Sequence, residues 1–132
     1  MANAPVQRPL SPHLQIYRLT LSMIMSGVHR ITGLALCVGM VVLTWWLLAA
    51  ATGQNAYATF EVFSTSWIGR LVLFGFSWAL IHHLVGGIRY FIWDLGYGLE
   101  PEEREWLVLA NLITPIILTV LLWAVLVMSG MR

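Results

Sequence analysis

Polar and apolar positions fall in long blocks along this chain, not with the two-residue alternation of a half-buried strand. Residues 31–51 hold no Asp, Glu, Lys or Arg, and neither do residues 71–88 or 106–131. At 1.5 Å rise per residue, the first block covers about 30 Å, one bilayer hydrocarbon core. The pattern predicts an all-α integral membrane protein with three transmembrane helices, spans near 22–51, 67–93 and 106–130, in a single domain over 1–132. Trp67, Trp93 and Trp106 lie near block ends, where interfacial aromatics belong. Pro115 lies inside the third block and predicts a kink that lipid-embedded helices tolerate. Residues 1–20 contain Pro5, Pro9 and Pro12 and read as an irregular arm. Residues 52–70 read as a loop. In the second connection, Glu102 and Glu103 suit the first turn of the third helix.

Composition supports the membrane reading. The chain is 59% hydrophobic and only 10% charged, against about 25% charged in an ordinary soluble domain. A net charge of +1 argues against nucleic acid as the partner. The single cysteine, Cys37, cannot form an intrachain disulfide and reads as a small packing residue. All seven basic residues are arginines. Arg8 and Arg18 precede the first block, with Arg30 at its boundary, and Arg89 and Arg104 flank the second connection. The loop between the first two spans has only Arg70 at its edge. The positive-inside rule therefore predicts a cytoplasmic N-terminus and second connection.

Two polar clusters interrupt the apolar blocks. In "SGVHRITG" (26–33), Ser26, Arg30 and Gly33 are spaced four and three apart and share a helix face, flanked by His29. An arginine at this depth either faces a partner or wet cavity, or snorkels to the headgroups. The second cluster is the pair His82–His83. Adjacent helical residues differ by about 100° in direction, so at most one of them serves a given site. Gly75, Ala79, His83 and Gly87 form a stripe that is small apart from the histidine, which lets a helix or a flat group approach. His82 shares its face with Trp78 and Gly86 and is expected to hydrogen-bond a neighbouring helix. An intramembrane imidazole with a clear approach suggests haem b, with His83 as axial ligand of the iron. His29 and His83 do not match in expected depth, so a second ligand is expected from another chain.

At this point a family resemblance enters. "RPLSPHLQIYRLTLSMIMSGVHRIT" (8–32) resembles the N-terminal signature of the cytochrome b556 subunits of succinate dehydrogenase, with Arg-Pro followed by a spaced Ser-x-x-His-Arg-x-Ser/Thr. "HLVGGIRYFIWDLG" (83–96) resembles their second signature, His-x-x-x-Gly-x-Arg followed by an aromatic residue and Asp-x-Gly. The resemblance implies one of two membrane anchors of respiratory complex II. It is completed in the lipid bilayer by a second anchor subunit and docked on its cytoplasmic side by an iron–sulfur subunit and a flavoprotein subunit. It implies haem b shared with the second anchor, His83 as one axial ligand, His29 and Arg30 near the haem propionates, and Ser26 and Arg30 in the quinone site. It also implies a bacterial inner membrane rather than a mitochondrial one. One departure stands out: Tyr90 occupies a position where many members have His, which removes a propionate or proton-relay role from that position.

Quinone reduction takes two electrons and two protons. Ser26 can hydrogen-bond a quinone oxygen, and Arg30 can favour an anionic one. Arginine does not deprotonate in proteins, so protons must come from water or partner chains. The chain has no nucleotide-binding loop, so succinate oxidation cannot occur on it alone. The competing readings are a structural anchor without functional haem, an anchor of a fumarate reductase, and a small transporter or channel subunit. Against the last, the chain has neither repeats nor broken helices.

Overall fold

The computed structural model describes residues 10–130. Pro5, Arg8, Pro9 and Arg132, used above for the arm, the first signature and the charge count, lie outside the described residues. Residues 10–20 form no helix and are exposed.

Four helices follow: α1 (Leu21–Thr52), α2 (Gln54–Thr65), α3 (Trp67–Asp94) and α4 (Pro101–Met128). Among the described residues there is no strand. Three helices, α1, α3 and α4, are long and apolar enough to cross a membrane. Each has an identifiable start. The Thr20 hydroxyl accepts from Met23 N–H to cap α1, and the Ser66 hydroxyl accepts from Gly69 N–H to cap α3. Pro101 opens α4, with Glu102 and Glu103 in the first turn against the positive end of the helix dipole. Pro115 sits buried within an α4 assigned as one helix.

The stretch expected to be a loop is the main difference. Residues 54–65 form α2, which turns off α1 at Gly53, whose φ of 126° suits glycine alone. Phe60 of α2 is buried, and Phe60 and Phe63 pack on Trp45 of α1 with ring centroids 5.1 and 5.2 Å away. Two aromatics on one face of a short segment of mixed polarity anchor this helix, and they signal it only once Trp45 is known to face them.

α3 is the central element, packing against α1, α2 and α4. Close approach is made by glycine: a methyl group at Gly39 of α1 would overlap the Phe76 ring of α3. The interior is polar for its size. Beside Met25, Ala49, Phe60, Ala79 and Val108, the buried residues include Thr32, His82, Arg89, Asn111 and Thr119. Large apolar side chains cover the outside instead, as expected when lipid is the solvent and helices associate through small and polar groups. Cys37, expected to be a packing residue, is exposed on α1. Its face points away from the chain's own helices, which sequence spacing alone does not reveal.

Candidate functional site

The polar residues gather where the N-terminal half of α1 crosses the C-terminal half of α3. His83 of α3 faces α1. Its Nδ1 lies 3.1 Å from the carbonyl oxygen of His29 and 3.5 Å from the Thr32 hydroxyl oxygen. The Thr32 hydroxyl donates its own proton to the same His29 carbonyl at 2.9 Å. A carbonyl only accepts, so Nδ1 of His83 carries the proton and Nε2 carries the lone pair. Metal-bound histidines are commonly held this way, with the second ring nitrogen donating to a backbone carbonyl. Gly33 makes room for the arrangement: a methyl group there would come within 3.1 Å of the His83 ring. On the small-residue stripe, a methyl group at Gly75 or Gly87 would meet nothing within 4 Å. The stripe flanking His83 is therefore not filled by this chain's own helices at those two positions.

His82 differs from its neighbour. It is buried, 1% exposed, beside the Trp78 ring at 5.2 Å. The expected interhelical hydrogen bond involves its backbone and not its ring. Asn111 Nδ2 of α4 donates to the His82 carbonyl at 3.3 Å, while both ring nitrogens lack a partner. The ring is held by packing against Trp78 at a point where α4 offers it no polar group.

His29 and His83 were expected at different depths, but their rings stack with centroids 4.0 Å apart and planes 15° apart. The stagger of α1 against α3, set by close contacts at Gly33 and Gly39, brings them level. The stack leaves no room for a porphyrin between the two rings, so His29 and His83 cannot be opposite ligands of one iron. The His29 ring also meets Tyr90 edge-on at 5.2 Å.

A cleft of about 440 Å³ opens beside this stack. Ser22, Met23, Ser26 and Arg30 of α1 form one wall, and Arg89, Tyr90 and Trp93 of α3 form the other. The structure thus brings Ser26 and Arg30 together, as their spacing predicts. His29, which the sequence reading grouped with Arg30, points between the helices and not into the cleft wall. Arg30 is exposed, whereas Arg89 is 2% exposed with no hydrogen bond at Nε, Nη1 or Nη2. Its guanidinium lies over the rings of Tyr90 and Trp93, 5.2 and 4.9 Å from their centroids, a cation–π arrangement that replaces part of its lost hydration. Trp93 is fixed in turn by its Nε1–H, which donates to the Gly98 carbonyl at 3.1 Å. Among the described residues no acidic side chain lines the cleft, so the exposed Arg30 and the buried Arg89 behind it favour a ligand with anionic or strongly accepting oxygens.

Arg89, Trp93 and Asn111 were missed as site residues. Asn111 had a legible signal, because it is the only side-chain amide in the third apolar block. Arg89 stands in the second signature and in the charge count, but its burial depends on the tertiary packing of the helices.

Comparison with known proteins identifies the family. Residues 4–122 match the family of succinate dehydrogenase/fumarate reductase transmembrane subunits. The succinate dehydrogenase cytochrome b556 subunit of Paracoccus denitrificans is 51% identical over 98 residues, covering 74% of this chain and 75% of that protein. The cytochrome b556 subunit of Rickettsia felis is 37% identical over 117 residues, 89% of this chain and 91% of that one. The mitochondrial succinate dehydrogenase cytochrome b560 subunit of Sus scrofa is 38% identical over 105 residues, 76% and 61% of the two chains.

Proposed function

The chain belongs to the succinate dehydrogenase/fumarate reductase transmembrane subunit family, and from that premise we propose that it is the haem b-bearing anchor of a succinate:quinone oxidoreductase. It joins a second membrane-anchor subunit in a bacterial inner membrane, with its N-terminus in the cytoplasm. On that side it docks the iron–sulfur and flavoprotein subunits. The observation that carries the reading is His83: a partly buried hydrogen bond to the His29 carbonyl fixes its proton on Nδ1 and leaves Nε2 for a metal, beside a stripe of small residues open at Gly75 and Gly87.

The residues present fit haem b. His83 would supply one nitrogen to the iron; His29, stacked on it, cannot supply another, which on this reading is left to the second anchor. Arg30 would meet the propionates, whereas His29, expected beside it, is turned between the helices against His83. When bound, the haem supplies a one-electron centre. The cleft would take the quinone. The Ser26 hydroxyl donates to one of its oxygens, and Arg30 holds that oxygen more strongly as negative charge develops. Protons come from water or partner chains, because neither guanidinium releases one. The chain does no chemistry on succinate.

Reduced-minus-oxidised spectra of the intact complex test this reading. His83→Leu should abolish or strongly perturb the low-spin b-type band, and His82→Leu should leave it nearly intact. The reverse pattern would transfer the ligand to His82 and remove the geometric argument. A parent complex without any b-type band would reduce this chain to a structural anchor.

A further inference from the structure

Asn111 is 0% exposed, at the level in α4 where the helix meets His82 of α3. Its Nδ2 donates to the His82 carbonyl, and because that carbonyl can only accept, the amide has one workable orientation. The Oδ1 atom is thereby aimed at Gly86. A Cβ built on Gly86 would lie 3.4 Å from Asn111 Oδ1 and 3.1 Å from His29 Nε2, while overlapping the His29 ring itself. Two atoms from two different helices thus converge on the space that the missing side chain of Gly86 leaves. Both are buried and neither has a partner. One is an acceptor, and the other is a donor in the Nε2–H form of His29. They are complementary, and they border the same gap.

We infer that Asn111 is a positioning residue for His83 that acts through His29. Its amide oxygen fixes the His29 ring, and the His29 carbonyl and ring fix His83. The inference rests on the reading of His83 as a haem ligand. The links lie in order: Asn111 Oδ1 and His29 Nε2 both border the space at Gly86, the His29 carbonyl accepts from His83 Nδ1 at 3.1 Å, and the two imidazoles stack at 4.0 Å. Turning His29 therefore changes both the plane of the His83 ring and the hydrogen bond at its Nδ1. These are the levers by which the surroundings of a ligand tune a haem. Gly86 is part of the device, because any side chain there would separate the two groups.

The test uses the complete membrane complex and reads the haem's low-spin electron paramagnetic resonance signal and midpoint potential. Asn111→Leu removes both polar atoms at similar volume. Expected is full haem content with a shifted signal and potential. Asn111→Gln keeps both polar atoms of the amide and should return both toward the parent values. Gly86→Ala displaces the His29 ring, meets Asn111 Oδ1 only at van der Waals distance and should shift the same signal, so it decides the matter if Asn111→Leu does not assemble. A parent signal and potential in Asn111→Leu at full haem content would overturn the inference. So would a parent signal in Gly86→Ala where Asn111→Leu cannot be assembled. Failure of the underlying haem reading shows separately, as a low-spin band that survives His83→Leu.

Discussion

The two ends of the bundle are built from different materials. At one end, α1 and α3 meet over a cleft that holds two serines and two arginines, next to a stack of imidazoles. At the other, they meet over an apolar cavity of about 270 Å³ lined by residues such as Gly39, Trp46, Phe60 and Phe76, with α2 folded across it. The second end is completed within the chain: Phe60 and Phe63 rest on Trp45, and Ser66 caps α3. The first end is not. Arg89 has no hydrogen-bond partner, and the ring nitrogens of His82 and Nε2 of His29 have none either. Unsatisfied polar groups in a membrane protein mark the place where something else belongs. The contrast separates an end that needs only itself from one that needs a ligand and partners.

Substitutions at the two ends should therefore fail in different ways. The largest effect is expected at the polar end. Arg30→Leu removes a charge-assisted hydrogen bond worth about 1.5–3 kcal/mol. If that bond tightens as the quinone becomes anionic, quinone-linked turnover falls roughly tenfold for each 1.4 kcal/mol lost. Succinate oxidation with a soluble artificial acceptor should persist. The measurement is the ratio of the two activities in membranes with equal complex content, and an unchanged ratio would remove Arg30 from the quinone site.

A comparable cost of another kind is expected at the apolar end. A methyl group at Gly69 would overlap the Phe63 carbonyl, where backbone cannot easily yield. Gly69→Ala should lower stability by about 1–3 kcal/mol, the usual range for overpacking, and leave the activity ratio unaltered. Thermal inactivation of the purified complex reads the first and the paired assays read the second. A changed ratio with normal stability would show that the two ends are coupled and break the comparison. The smallest effect belongs to Ser26→Ala, which deletes a neutral hydrogen bond worth about 0.5–1.5 kcal/mol. It should lower the same ratio as Arg30→Leu by less than about tenfold. A larger loss than in Arg30→Leu would make the hydroxyl the principal contact.

The spanning helices were legible because uncharged blocks of membrane length have few other readings. The Ser26–Arg30 pairing was legible because four residues make one helical turn. The opposite cleft wall was not. Arg89 and Trp93 join it only through the stagger of α3 against α1, which is set at Gly33 and Gly39 by contacts between residues about 40–50 positions apart. The same stagger defeated the depth estimate for His29 and His83. α2 was hidden because its two packing aromatics sit among polar residues and its partner, Trp45, lies in a different block. Cys37 was misjudged because a uniformly apolar helix does not announce which side faces its neighbours.

The polar interior also has a consequence for biogenesis. α3 has a mean hydropathy of 1.7 over its most apolar window, against 2.2 for α1 and 2.3 for α4, and it carries the buried His82 and Arg89. It leaves the ribosome before α4, the helix whose Asn111 docks on the His82 carbonyl. During that interval α1 is, among the described residues, the spanning helix against which it can shelter these groups. Committing α3 to the bilayer is thus the step of synthesis most dependent on a neighbour, and the order in which helices emerge becomes part of what the sequence encodes.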